Sequence, residues 1–239
     1  MNILIPMAGQ GSRFPKDRYI MPKPLIDILG EPMILRVMQS LGLTGHYYFV
    51  IPNNSHTALL TATIQSFLPG SHITAIDQIT EGPACTAMLL QSHINNDEEL
   101  VIANCDQIME WDSALFLHTA RLYDGCLVTY HTNTPKNSYA RIDEQGMVQE
   151  VREKQVLSNI SLNGIHYWKR GADFVSSASA MISAEDRASN GEFYVGPTYN
   201  YMIGSGSRVG IHHIPNQQHH AVGVPEDLEK YLNYENSKS

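Results

Sequence analysis

Four cations fall within eleven residues of one glycine-rich segment: Arg13, Lys16, Arg18 and Lys23. They follow the run Ile3-Leu4-Ile5-Pro6-Met7-Ala8-Gly9-Gln10-Gly11-Ser12-Arg13-Phe14, an apolar stretch that ends in glycines. Such a turn brings backbone N–H groups close to phosphate oxygens, because glycine accepts positive φ and carries no Cβ. Two better-known phosphate motifs are excluded. The dinucleotide fingerprint needs a third glycine where Phe14 stands, and Walker A needs a Gly-Lys-Ser/Thr that is absent here. What remains is Gly9-x-Gly11-Ser12-Arg13 and, nine residues beyond Arg13, Pro22-Lys23-Pro24-Leu25. A phosphate under attack accumulates charge that fixed cations and N–H groups can stabilise. Arginine offers bidentate contacts and lysine a point charge. Pro22 and Pro24 stiffen the backbone on both sides of Lys23 and would aim its amine.

A second chemical candidate is Asp106, which follows the apolar run Glu99–Ala103. A hard carboxylate after a strand of an α/β sheet suits Mg²⁺, and an Asx-turn or helix cap would use the same residue type. Glu150, Arg152, Glu153 and Lys154 alternate in charge, as a binding edge or a solvated strand edge would. Thr80-Glu81-Gly82-Pro83-Ala84 reads as a loop entering a helix, with Gln78 just before it. His212-His213 and His219-His220 raise the question of zinc. Neighbours on a strand face opposite sides, and neither a Cys partner nor an HExxH pattern supports a site. Cys85, Cys105 and Cys126 are too few and too irregularly spaced for a disulfide framework, so they read as reduced, cytoplasmic thiols, with Cys85 and Cys105 in or near the core.

These candidates need a scaffold. The chain has 239 residues, 43% hydrophobic and 17% charged, which suits one sizeable folded core, here 1–239 with halves 1–131 and 132–239. A net charge of −8 and a pI near 5.7 argue against nucleic acid and anionic membrane as partners. No Lys or Arg occurs between Arg36 and Arg121, so the cationic segment stands apart and suits a small anion. Neither a leader nor a membrane span is legible. The first half alternates strand-like and helix-like stretches: Asn2–Met7, Pro32–Leu41, His46–Ile51, Ser55–Phe67 with Ser55 as cap, His72–Asp77, Pro83–His93, Glu99–Ala103, Asp112–Tyr123 and Gly125–Tyr130. That order predicts βαβ units and a parallel sheet. In the second half, Tyr139–Asp143 and Met147–Arg152 form a hairpin around Glu144-Gln145-Gly146. Ile160–Trp168 and Ser207–Ile214 are further strands, and Gly171–Ala188 and Pro225–Tyr234 are helices. This predicts a more antiparallel region packed at one end of the sheet.

The two linked motifs, Gly9-x-Gly11-Ser12-Arg13 and Pro22-Lys23-Pro24-Leu25, resemble the signature of the sugar-phosphate nucleotidyltransferases, or NDP-sugar pyrophosphorylases, and most closely the short bacterial cytidylyltransferase type. The resemblance continues weakly through Ala103-Asn104-Cys105-Asp106, Glu153-Lys154, Asn163-Gly164 and Pro225-Glu226-Asp227-Leu228. It implies a three-layer, Rossmann-like (GT-A-like) α/β fold with a mixed, mainly parallel sheet and a small antiparallel acceptor region. It also implies a Mg²⁺-dependent transferase of EC 2.7.7 type that releases pyrophosphate. The substrates would be an NTP (CTP first, dTTP or UTP second) and a small sugar, polyol or amino-alcohol phosphate, used for polysaccharide precursors. By the resemblance Arg13 and Lys23 are catalytic and Asp106 holds the metal. Met7, Ala8, Gly9, Gly11, Ser12, Gln78, Gly82 and Pro83 bind nucleotide. Tyr139, Ala140, Glu153, Lys154, Asn163, Gly164 and Glu192 bind acceptor. One departure stands out: the family often has a second metal-binding Asp, just before a Gly-Thr-Pro or within an Asp-Thr-Pro, where this chain reads His219-His220-Ala221-Val222-Gly223-Val224-Pro225, with Glu226 and Asp227 explicable as helix-start acids. That gap keeps a catalytically silent nucleotide-binding module open as an alternative, alongside a molybdopterin-type nucleotidyltransferase. Whether the chain forms a homo-oligomer is also open.

Overall fold

The structure, a computed structural model, describes residues 1–9 and 11–238. In chain order its first half contains β1 (Asn2–Pro6), β2 (Asp27–Ile28), β3 (Glu31–Pro32), α1 (Met33–Leu41), β4 (His46–Pro52), α2 (Thr57–Phe67), β5 (His72–Ile76), α3 (Pro83–Met88), α4 (Gln91–Ile94), β6 (Leu100–Ala103), β7 (Gln107–Met109), α5 (Ser113–Ala120) and β8 (Gly125–His131). The second half adds β9 (Ser138–Ile142), β10 (Val148–Glu153), β11 (Ile160–Trp168), α6 (Gly171–Ser183), α7 (Thr198–Gly204), β12 (Val209–His213), β13 (His219–Ala221) and α8 (Pro225–Asn236).

One nine-stranded sheet organises the chain, in the order β10-β9-β11-β6-β1-β4-β5, with β8 and then β12 branching from β11. Only β10 and β11 run against the rest, so the sheet is mixed and mostly parallel. Its layers follow from strand alternation. On β1, Ile3 and Ile5 face α1, α2 and α5, where they meet Ile34, Met38, Ile64 and Phe116. Leu4 faces the opposite layer of α3, α4, α6 and α7, with Leu90, Ile94, Phe174, Ala178 and Tyr199. All these side chains are buried. Apolar residues on both faces explain why the first-half strands read as nearly continuous hydrophobic runs.

The antiparallel hairpin β9–β10 lies at one end of the sheet, as expected, but other strands of the second half do not. β11 lies between β6 and β8, at the centre of the sheet, and β12 rejoins β8 in parallel. The short helix α7 is absent from the sequence reading because Gly196-Pro197 and two tyrosines obscure its periodicity. The helix expected over Pro83–His93 breaks at Leu89-Leu90, and the one expected to reach Ala188 stops at Ser183. Ser55 does not cap α2; Asn54 and Thr57 hold that entry, with the Thr57 hydroxyl accepting from the Asn54 N–H at 2.7 Å. Asp112 is itself the cap of α5, accepting from Ala114 N–H at 2.9 Å and Leu115 N–H at 3.0 Å, which leaves Asp106 free of that duty. The ribbon β7–β13 was also not predicted. Its three-residue strands are too short for a period to register, yet it carries residues 219–221 alongside Asp106.

Candidate functional site

The parallel strands β1, β4 and β6 end on one side of the sheet, where α/β folds bind ligands. After β1 the chain turns through the glycine segment. Gly11 has φ of 60°, and a Cβ there would stand 3.1 Å from Lys23 Cβ. Glycine therefore eases both the left-handed turn and the passage of the Lys23 stem against it. Pro22 precedes a single 3₁₀ turn, Lys23–Leu25, and the Leu25 N–H donates to the Pro22 carbonyl at 2.8 Å. Behind the loop, Phe14 is buried against Val222, Leu228 and Tyr231, while Arg18 pairs with Glu229 on α8 at 2.6 Å. The C-terminal helix thus braces the phosphate-type loop.

A cavity of about 410 Å³ opens above this turn. Met7, Ala8, Gly9, Gly11, Ser12, Arg13, Lys23, Gly82, Pro83, Asp106 and Glu192 all line it. Pro6, Pro24, Ile79, Thr80, Thr86, Asn104, Cys105 and Gly223 complete the wall and were not singled out as site residues from the sequence. Cys105 therefore belongs to the cleft rather than simply to the core, although burial pushes its thiol up to about 11. A second space of about 550 Å³ lies on the flank of the same loop, lined by Phe14, Lys16, Asn54, His56 and Leu60 among others.

Lys23 Nζ donates to Asp106 Oδ2 at 2.5 Å. Burial opposes the Lys23 charge, but Cys105, Asp106 and the hydrogen bond outweigh it, so its pKa lies above the ordinary lysine value. The pair is charge-assisted and fixes both groups at the cleft wall. Asp106 sits in the bend between β6 and β7, and its backbone carbonyl accepts from Val222 N–H at 2.8 Å. Gly223 lies directly against it: a Cβ there would come within 2.5 Å of Asp106 Oδ2. Within the stretch that departs from the family pattern, Gly223 thus faces the Asp106 carboxylate with no side chain. Asp227 pairs with Lys230 at 3.1 Å along α8 instead. Among the described residues, no group of three or more His, Cys, Asp or Glu could hold a metal ion. The four histidines of the paired runs are engaged separately, His212 beside Phe116, His213 on His131, His219 on Tyr130 and His220 on Tyr234.

The acceptor-half candidates divide into two sets. Lys154 follows β10 with φ of 54°, a left-handed conformation that costs a non-glycine residue about 1–2 kcal/mol. Its Nζ donates to the Tyr194 hydroxyl at 2.7 Å, and that hydroxyl donates to Glu192 at 2.6 Å. The Tyr194 hydrogen bond holds the Glu192 carboxyl below the usual range, with Lys154 and Arg13 adding to it. Glu192 therefore feels cations from both halves of the chain. Glu153 accepts from the Ser138 hydroxyl, and burial raises its pKa.

Of the acceptor-half candidates, Glu192 lines the cavity while Glu153 and Lys154 line neither space, and the other set supports the cleft from the strands behind it. Tyr139 and Ala140 are fully buried in β9, with the Tyr139 hydroxyl donating to the Thr134 carbonyl. Asn163 is buried and accepts from the Ile165 N–H at 2.9 Å. Gly164, with φ of 95°, lies at the irregularity in β11, where a Cβ would fall 2.1 Å from Asn104 Nδ2. The Asn104 N–H donates to the Gly164 carbonyl at 3.1 Å. Asn163-Gly164 thus shapes the bend that presents Asp106. Gln78 is exposed and lines neither cavity. No sequence signal marked Tyr194 as the partner of Lys154, or Asn190 as a partner of Tyr194, because the first contact spans 40 residues and the second depends on loop shape.

The structure superposes on a nucleoside-diphosphate-sugar pyrophosphorylase from Vibrio cholerae RC9 with a TM-score of 0.86 at 22% identity, covering 97% of this chain and 99% of that one. A UDP-glucose pyrophosphorylase complexed with UDP-glucose gives 0.77 at 15%, covering 100% and 99%. The inositol-1-phosphate CTP transferase from T. maritima gives 0.74 at 15%, covering 97% and 93%. These likenesses establish a shared fold. Among the described residues no helix is long and apolar enough to cross a membrane. The sequence itself matches the family described as nucleotidyl transferase over residues 3–192, and with that match spanning the glycine turn, Lys23, Asp106 and Lys154, the chain belongs to the nucleotidyl transferase family.

Proposed function

We propose that the protein condenses an NTP, with CTP first and dTTP or UTP second, with a small sugar, polyol or amino-alcohol phosphate, releasing pyrophosphate. One observation carries the reading: Gly9, Gly11, Arg13, Lys23, Gly82, Asp106 and Glu192 line a single cavity, and Glu192 joins it through Tyr194 to Lys154. A phosphate needs no protein base to act as a nucleophile at neutral pH, so positioning and charge stabilisation suffice. An acceptor phosphate oxygen forms a bond to the α-phosphorus, and the bond to the β-bridging oxygen breaks in line with it. The electron pair leaves with pyrophosphate. Backbone N–H groups of the glycine turn and the Arg13 guanidinium hold the triphosphate. Lys23 stabilises charge on the leaving side, and Lys154 holds the acceptor phosphate.

The residues fit Mg²⁺ in a limited form. Lys23 engages only Oδ2 of Asp106, and that carboxylate forms no other hydrogen bond among the described residues. One carboxylate completed by substrate phosphates and water is an ordinary magnesium arrangement. Asp106 would hold the ion, which supplies charge neutralisation across the phosphates. Gly223 offers no second carboxylate beside it. CTP stands first because the motifs resemble the short cytidylyltransferase type, and polysaccharide precursors are the product class that resemblance implies.

The test is pyrophosphate release from the purified chain with each NTP against a panel of phosphorylated acceptors. Release with CTP and a sugar, polyol or amino-alcohol phosphate is the expected result. No release from any pair, with nucleotide binding retained, would favour the silent binding module, and release only with a pterin phosphate would favour the molybdopterin type. The retained Lys23–Asp106 pair speaks for catalysis.

A further inference from the structure

The segment Glu192-Phe193-Tyr194 touches both substrate regions. Phe193 N–H donates to the Glu81 carbonyl at 2.8 Å, and Ala84 N–H donates to the Phe193 carbonyl at 3.0 Å. These two bonds clip the segment onto the loop that enters α3. The approach is so close that a Cβ on Gly82, whose φ is 126°, would stand 2.5 Å from the Phe193 carbonyl oxygen. Arg187 reinforces the clip, pairing with Glu81 at 2.6 Å and lying over the Phe193 ring at 4.2 Å. Glu192 on one side of Phe193 lines the nucleotide cavity. Tyr194 on the other side meets Lys154.

The Tyr194 contact is more than proximity. Lys154 Nζ lies 4.8 Å from the centroid of the Tyr194 ring and donates to its hydroxyl at 2.7 Å. The same hydroxyl donates to Glu192 at 2.6 Å and accepts from Asn190 Nδ2 at 3.0 Å, while Asn190 Nδ2 also reaches Glu192 at 2.8 Å. A lysine side chain has four rotatable bonds and a compact charge, so its amine stays in one place only if something holds it. Lys154 is held twice: at the amine by Tyr194, and at the backbone by a left-handed φ of 54° with its N–H on the Asn137 carbonyl at 3.0 Å. Strained backbone of this kind persists where surrounding structure over-determines it.

We infer that Tyr194 is a positioning residue for the acceptor phosphate: its hydroxyl fixes the Lys154 amine, and the Phe193 clip registers that amine against the nucleotide cavity. The inference rests on the proposed nucleotidyl transfer for its substrate, but the positioning is a property of the free chain. Tyr194→Phe removes the hydroxyl's three hydrogen bonds and keeps the ring. With the productive NTP and acceptor, the variant should raise KM for the acceptor about tenfold, the scale of one charge-assisted hydrogen bond. KM for the NTP should stay within about twofold, and the melting temperature within a degree or two. An equal rise in both KM values, or an unchanged acceptor KM, overturns the inference.

A second measurement needs no turnover. Trace acylation with acetic anhydride, read by peptide mass spectrometry, should label Lys154 several-fold more slowly than exposed Lys136 and Lys169 in the wild type. In Tyr194→Phe the Lys154 rate should rise several-fold while the other two stay fixed. Equal Lys154 rates in both proteins overturn the positioning role whatever the activity. A Lys154 rate that rises in a protein with no pyrophosphate release from any pair would overturn the proposed function and leave the positioning role standing.

Discussion

The two sides of the cleft are built by different means. On the nucleotide side the wall is largely backbone: the glycine turn after β1, the Gly82 entry to α3 and the bend after β6, each at the end of a buried parallel strand. Two of its charged side chains, Lys23 and Asp106, are locked to one another. On the side proposed for the acceptor the candidate groups are side chains from separate segments, with Ser138 and Glu153 from the β9–β10 hairpin, Lys154 just beyond it, and Asn190, Glu192 and Tyr194 from the loop before α7. Under the proposed function, a backbone wall would recognise what all nucleoside triphosphates share. A side-chain network can be re-specified residue by residue without disturbing the sheet, so variation in acceptor has a place to act.

That contrast can be broken most decisively at Lys23. Lys23→Ala should lower pyrophosphate release by roughly 10²–10³-fold, as loss of a preorganised charge stabiliser does, with the fold intact by circular dichroism. Near-wild-type turnover would remove the catalytic assignment. Gly82→Ala comes next. A Cβ at φ of 126° and 2.5 Å from the Phe193 carbonyl oxygen should destabilise the chain by about 2–3 kcal/mol in urea unfolding. A neutral result would mean the clip between the two sides is not rigid. Lys154→Ala should raise acceptor KM by about tenfold or more and leave NTP KM nearly unchanged. If both move together, the two sides are not separable.

The smallest effect concerns Glu153. Burial raises its folded-state pKa above the unfolded value. Its contribution to stability is therefore fully present below the ordinary glutamate range and is lost as pH rises through the folded pKa. Glu153→Gln should flatten that decline and raise the melting temperature slightly at pH 7–8, by under about 1 kcal/mol in stability. A variant less stable than wild type at pH 8 would mean that the Ser138 hydrogen bond outweighs the burial of charge. Lys23, by contrast, gains its raised pKa from partners on the nucleotide side, so its stabilisation should persist through neutral pH and fall away only as pH rises through that value.

Legibility in the sequence follows the same division. The glycine turn, both cations and Asp106 could be read because each is local: a strand, a turn and a charge within a few residues. The apolar run Ile3-Leu4-Ile5 is likewise local and reads as a buried strand, and in the fold its two faces both meet helices. Asn163 and Gly164 were legible as residues but not as parts, since only the irregularity in β11 reveals that they support the Asn104–Asp106 bend. Tyr139 and Ala140 read as pocket residues, and β9 buries them. The ribbon β7–β13 joins segments more than a hundred residues apart through three-residue strands, and no periodicity can mark so short a pairing.

By itself the sequence determined that an α/β sheet ends in a glycine-rich, doubly cationic turn with one carboxylate nearby, because turn chemistry and strand burial are written in adjacent residues. Tertiary structure alone decided that β11 enters the centre of the sheet, that Gly223 rather than a carboxylate faces Asp106, and that Tyr194 holds Lys154. Tyr194 and Lys154 are 40 positions apart and Gly223 and Asp106 are 117, so pairing and loop closure bring them together, and the energy that selects such contacts belongs to the packed core rather than to any local stretch of chain.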